Sequence, residues 1–194
     1  MPREQQTKHS ILTVSGNKEL VPLVRRSLQS ECIISEEYTN SAAGARRCIL
    51  EHYYTIVVIN SPVHGESGTE LAIYAAGQCS ASILLIVPGG IYEETMERVS
   101  GYGILVIEKP FPVLRLSRAM RFLSAHQARI QKLEEKVRAA EEKAQEIMLV
   151  DKAKFFLIEH RHMMEDEAHR YIGKQAMDHG STRKQIAREI LDDE

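Results

Sequence analysis

Ile56-Val57-Val58-Ile59, closed by Asn60-Ser61-Pro62, is the stretch that decides the fold. A short, unbroken apolar run of this kind is what a strand covered on both faces looks like. The same type of run recurs at Ile11-Leu12-Thr13-Val14, at Ile83-Leu84-Leu85-Ile86-Val87 and at Ile104-Leu105-Val106-Ile107, and a fifth, less apolar strand is expected near Glu31 to Ser35. Helical spacing fills the intervals at Lys18 to Gln29, Ala42 to Glu51, Thr69 to Ala76 and Glu93 to Ser100, and a last helix opens near Val113. Strand and helix in alternation predict an α/β fold, a doubly wound five-stranded parallel sheet occupying residues 1–122, with function at the carboxyl ends of the strands. Those ends are Ser15, Asn60, Val87 and Lys109.

The segment from Ile11 to about Phe122 resembles a response-regulator receiver, which is flavodoxin-like. The resemblance rests on Asn60-Ser61-Pro62 followed by Gly68, and on Lys109-Pro110-Phe111. Receivers accept a phosphoryl group on an aspartate. The resemblance puts Asn60 at that position, Ser15 and Gly16 where a magnesium-binding acidic pair would stand, Val87 at the usual hydroxyl position and Val106 at the aromatic switch position; only Lys109 matches. No aspartate precedes Asp151, so no register of the motif yields an aspartyl phosphate in this domain. Magnesium is usually held through one or two carboxylates, and these strand ends offer an amide, a hydroxyl and backbone. The expectation is a pseudo-receiver without metal or cofactor, in which Lys109 hydrogen-bonds the Asn60 amide or a strand-end carbonyl. Its input would then be a sensor or inhibitor protein, masking of the output unit, or support for dimerisation.

A seven-residue repeat follows over residues 123–147. With Leu123, Ile130, Val137 and Ala144 at a, the d positions are His126, Leu133, Ala140 and Ile147, which predicts a long coiled-coil helix. Arg129 and Lys136 at g face Glu134 and Glu141 at e of a parallel partner, whereas antiparallel pairing sets like charges together. Such exposed pairs select orientation more than they stabilise. The dimer seam expected is Leu123, Ile130, Leu133, Val137 and Ile147, in a parallel homodimer; a long solvated helix is the alternative.

Residues 148–194 read as a small three-helix domain. Val150, Ala153, Leu157 and Ile158, then Ala168, Ile172 and Ala176, then Ile186, Ala187 and Ile190 recur at helical spacing. His160-Arg161-His162 closes the first helix, Gly180 lies past the second, and Thr182 with Gln185 forms a capping box for the third. The segment resembles the ANTAR family of RNA-binding antitermination modules, through Ala153-Lys154, Glu167-Ala168, Lys174-Gln175-Ala176-Met177-Asp178 and Ile186-Ala187 before Ile190-Leu191. That resemblance implies a two-component-type regulator that binds RNA hairpin loops in leader transcripts and promotes transcription antitermination. Lys154, Arg170, Lys174, Arg183, Lys184 and Arg188 can neutralise phosphates, Gln175 can address a base edge and Tyr171 can stack an unpaired base. Phe155-Phe156 is unaccounted for; if both are not buried, one docks the receiver or a neighbouring chain.

Composition frames these readings. The 194 residues carry a formal net charge of -2, three separated cysteines and no tryptophan. From Met148 onward there are eight Lys or Arg against ten Asp or Glu, so charge alone does not indicate nucleic acid. Cys32, Cys48 and Cys79 have neither disulfide-framework nor zinc spacing, and His160 and His162 are two apart and diverge on a helix. Met1 to Ser10 has no apolar core and no run approaches a membrane span, so a cytoplasmic location is expected. With no phosphate-loop or hydrolase motif, no enzyme is expected. Two further readings stay open. One is a dimeric protein-binding scaffold. The other is a helix-turn-helix DNA reader, for which Thr182 to Leu191 would be the first helix with only three residues after it.

Overall fold

The structure, a computed structural model, describes residues 8–192. The polar start before Lys8 and the last two acidic residues lie outside the described residues. The chain divides into two compact units, Met1–Gln131 and Lys132–Glu194.

The first unit is the expected doubly wound sheet. Strands β1 (Lys8–Ser15), β2 (Cys32–Thr39), β3 (Ile56–Asn60), β4 (Ser82–Pro88) and β5 (Leu105–Lys109) are all parallel, in the order β2-β1-β3-β4-β5. Helices α1 (Leu20–Ser27), α2 (Ala42–Glu51), α3 (Gly68–Gln78) and α4 (Tyr92–Val99) alternate with them, and α5 (Val113–Arg161) follows β5. Strand periodicity sends alternate side chains to opposite faces. Leu12, Val14, Val57, Ile59, Leu85 and Val106 pack with α2 and α3, while Ile11, Ile56, Val58, Leu84, Ile86 and Ile107 pack with α1 and α5. Burial on both sides explains why these strands are continuous in apolar character. β2 is longer than the expected Glu31 to Ser35 and less apolar because it is an edge strand, half exposed along its length. Its Glu37 accepts hydrogen bonds from the Tyr54 hydroxyl and the Cys48 thiol, which hold the carboxyl below its usual range.

α5 corrects the expected boundary at 122/123. Leu116, Ala119, Met120 and Leu123 all lie in the core beneath the sheet, and Leu123 is 2% exposed. Leu123 is therefore a core residue of the first unit and not part of a free dimer seam, because the strip of α5 that covers the sheet runs on one turn further. Beyond it the packing turns polar. His9, fully buried, approaches Thr55 Oγ1 with Nδ1 at 3.2 Å and Ser124 Oγ with Nε2 at 2.9 Å. Ser82 Oγ donates to the Gln127 side chain at 3.1 Å. Thr55 Oγ1 already donates to the Ser10 carbonyl and accepts the Ser10 N–H, so His9 donates to it through Nδ1, and in the neutral ring Nε2 accepts Ser124 Oγ–H. Burial favours the neutral imidazole, holding its pKa below the ordinary value despite the opposing field of Glu31. An unfolded histidine takes its proton near pH 6.5. The unfolded state thus binds more protons below that pH, and His9 contributes stability that is full above about pH 6.5 and is lost as pH falls toward the lower folded pKa. Urea midpoints at pH 7.5 and 5.5 should drop further for the wild type than for His9→Gln; equal drops would remove His9 from the account.

The second unit packs the end of α5 with α6 (Glu165–Asp178) and α7 (Arg183–Asp192). Its core is Ala153 and Leu157 of α5, Ala168, Ile172 and Ala176 of α6, and Ile186, Ala187 and Ile190 of α7. Small alanines at three helices let the backbones approach closely. The first of the three expected helices is continuous with the connector, since nothing between Val113 and Arg161 breaks the helical pattern. It ends where expected, with His162 at φ 53, and α6 is followed by Gly180 at φ 57, the left-handed conformation that favours glycine. Thr182 Oγ1 accepts the Gln185 N–H and Gln185 Oε1 accepts the Thr182 N–H, both at 3.2 Å, the reciprocal bonds of a capping box.

Candidate functional site

At the carboxyl edge of the sheet, β1 and β3 lie side by side with Ser15 opposite Asn60, the point where strand order reverses and doubly wound proteins place their ligands. Here internal hydrogen bonds occupy it. Asn60 Nδ2 donates to Ser15 Oγ at 2.9 Å, the Asn17 N–H donates to the same oxygen at 3.1 Å, and the Tyr38 hydroxyl donates to the Ser15 carbonyl at 2.8 Å. Lys109 Nζ donates to the Ser61 carbonyl at 2.6 Å, and burial lowers its pKa from the usual lysine range. Asn60 Oδ1 is buried with no hydrogen-bond partner. Gly16 is exposed beside this cluster. Val87 is the residue the geometry removes from it. β4 continues to Pro88, and Val87, fully buried, packs with Ile83 and Leu85 in the core, so it lines no strand-end site. Gly68 is required by packing: a methyl there would stand 2.6 Å from Ser61 Cβ, because α3 starts directly against the loop after Asn60. Among the described residues no three of His, Cys, Asp or Glu come together as a ligand set, and the three cysteines are unpaired.

The second unit holds the remaining candidates, and the fold sorts them. Lys152, Lys184 and Arg188 converge with Met148 and Leu149 on a groove of about 240 Å³ between α5 and α7, without a carboxylate in its lining. A second cleft, about 630 Å³, brings Arg170, Lys174 and Arg183 together with His169 and Gly173, with Asp178 as its one acidic residue. Among the described residues, none of these six cations has a carboxylate within salt-bridge distance. Lys154 differs. Its ammonium lies 2.7 Å from Asp151 and 3.7 Å from Glu165, and the hydrogen bond to Asp151 is the largest cause of its raised pKa. This ties α5 to the start of α6 and leaves its charge compensated. Tyr171 is engaged as well: Arg161 Nη1 donates to its hydroxyl at 3.1 Å and the guanidinium lies 5.8 Å from the ring centre. Gln175 Oε1 lies 3.0 Å from His179 Nε2 and does not line either groove. Sequence reasoning missed Lys152. Its signal is weak, since it sits one residue from the motif Ala153-Lys154 and only the packing of α7 gives it two cationic neighbours. Phe155 is 70% exposed, while Phe156 is half-buried against the three-helix core.

A family model for the ANTAR domain matches residues 138–191. The C-terminal segment is an ANTAR domain. The match begins ten residues before the expected start at 148, and the packing gives the reason: Thr182 and Lys184 at the start of α7 line a cleft with Ala139, Glu142, Lys143 and Glu146 of α5. The upstream turns of α5 are thus part of the ANTAR domain's own surface. The first unit is similar in fold to solved receivers. A signal receiver domain of an HD domain-containing protein from Pseudomonas fluorescens Pf-5 superposes with a TM-score of 0.55 at 16% identity, covering 68% of this chain and 96% of that one. NtrX from Brucella abortus in complex with ADP gives 0.55 at 19% identity, covering 66% of this chain and 29% of that one. An adenylate cyclase structure from Rhodopirellula baltica gives 0.58 at 18% identity, covering 69% and 98%. Identities this low carry the fold and no activity. No curated protein matches the chain significantly. The chain thus joins a receiver-like fold to an ANTAR domain. Among the described residues no helix is long and apolar enough to cross a membrane.

Proposed function

We propose that this protein binds RNA hairpin loops through the cationic grooves of its ANTAR domain and promotes transcription antitermination by stabilising a structure that competes with a terminator. The observation that carries this reading is the convergence, on two grooves of one small unit whose overall composition is acidic, of six cations without an ion-pair partner among the described residues. Phosphate neutralisation positions an RNA, and unpaired loop bases supply the selectivity. The test is a titration of the full chain at two salt concentrations against RNA carrying two short hairpins with six-nucleotide loops, with duplex DNA as control. RNA-selective, salt-sensitive binding that weakens in Lys174→Ala is expected. Equal binding to DNA and RNA, or none, turns the reading toward a protein-binding scaffold.

The first unit acts in this proposal as a pseudo-receiver whose input is a sensor or inhibitor protein in place of phosphorylation. Asn60→Asp alone is expected to gain no phosphoryl mass with acetyl phosphate and magnesium, because Ser15 and Gly16 still supply no carboxylate for the metal. A phosphoryl adduct on that variant, or on the wild type at this domain, would sink the idea.

The chain pairs, in the same proposal, as a parallel homodimer. Ile130 is half-buried, and Leu133, Val137 and Ile147 expose 52%, 56% and 54% of their surface along α5, at the repeat that a coiled-coil partner would cover. Charge at such a position opposes pairing, so Val137→Lys should convert a dimer to a monomer in sedimentation experiments without loss of helix. An unaltered dimer would place the interface elsewhere.

A further inference from the structure

Lys152, which lines the cationic groove between α5 and α7, is followed on the same face of α5 by two aromatic rings. Lys152, Phe156 and His160 recur every four residues along α5, so they lie on one helix face, one turn and about 6 Å apart. At the end of this row the His160 imidazole lies flat on the Phe156 ring, with centroids 4.3 Å apart and planes inclined by 20°. His160 Nδ1 lies 3.1 Å from the Phe156 carbonyl oxygen, which fixes the ring in that orientation. Phe156 is itself anchored against the three-helix core. The outer face of His160 is open, as the residue is exposed and no other ring covers it among the described residues. The neighbouring Tyr171 is held by Arg161.

We propose that His160, backed by Phe156, is a stacking platform for one unpaired base of an RNA whose phosphates occupy the Lys152, Lys184 and Arg188 groove. The proposal rests on the RNA reading above and names how that site selects unpaired over paired RNA. Phosphate cations in line with a rigid, flat π-face are the combination that single-stranded nucleic acid requires, and a base inside a duplex has no free face to offer. It also gives Phe156 a purpose beyond the core, since its ring sets the plane of the platform.

The experiment uses the full chain, a hairpin RNA with a six-nucleotide unpaired loop and a fully paired RNA duplex of the same composition, each at 50 and 200 mM salt. His160→Gln keeps helix propensity and a donor but removes the ring; His160→Tyr keeps a ring. His160→Gln should weaken loop RNA about tenfold at both salts, within the range of one base–aromatic stack, and leave the salt slope unchanged. His160→Tyr should restore affinity, and neither variant should alter duplex binding. Wild-type affinity in His160→Gln, failure of His160→Tyr to rescue, or a flatter salt slope in His160→Gln would each overturn the platform while leaving the RNA reading standing. Absence of salt-sensitive RNA binding by the wild type would remove both.

Discussion

Replacing Lys152, Lys184 and Arg188 together by alanine is expected to lower affinity for hairpin RNA about a hundredfold at 0.1 M salt. The figure follows from counterion release. Each phosphate contact on a single strand contributes about 0.7 to the slope of log affinity against log salt, so three contacts contribute roughly 2 logarithmic units at 0.1 M and nearly nothing at 1 M. The three side chains line one groove and none carries a carboxylate partner among the described residues, so their loss removes binding charge without breaking an internal ion pair. The measurement is the affinity at four salt concentrations, with circular dichroism as a check on the fold. Lys154→Ala is the internal contrast. Its charge already serves Asp151 and Glu165, so its slope should stay at the wild-type value. A triple variant with the wild-type slope, or a Lys154 variant with a flatter one, would relocate the phosphate path.

Leu157→Ala is expected to unfold the C-terminal unit while the sheet stays intact. Four of the eight buried residues of that core are alanines, so Leu157, Ile172, Ile186 and Ile190 supply most of its apolar volume. Truncating a fully buried leucine costs about 2–5 kcal/mol, because the methyl groups return to water and a cavity remains. A small unit has little stability in reserve against a loss of that size. Thermal melts of the variant should therefore gain a low-temperature transition confined to helix signal, and RNA binding should disappear with it. A single unshifted transition with full RNA binding would mean that the three helices do not depend on this core.

The strands were legible because their signal is local: an apolar run such as Ile56 to Ile59 needs only its own neighbours to be read. The same holds for the helix ends, where Gly180 and the Thr182–Gln185 pair carry out the expected cap geometry within a few residues. The candidate RNA residues were less legible. Helical spacing says which side chains share a face and says nothing of what another helix places opposite them. Lys154, Tyr171 and Gln175 belonged to the expected set, yet the first two are held by Glu165 with Asp151 and by Arg161, and the third lies beside His179. Leu123 fitted the seven-residue repeat equally well as seam or as core, and only the sheet beneath it decided.

By itself the sequence determined the order of strands and helices, the asparagine at the third strand's end and the absence of any aspartate before Asp151. Those properties depend on residue identity and short-range periodicity. The tertiary structure alone decided that Lys152 shares a groove with Lys184 and Arg188, that Val87 faces the core, and that the Asn60 amide donates to the Ser15 hydroxyl. These depend on how elements distant along the chain are rotated and pressed together, which the close packing of alanines and the sheet register fix.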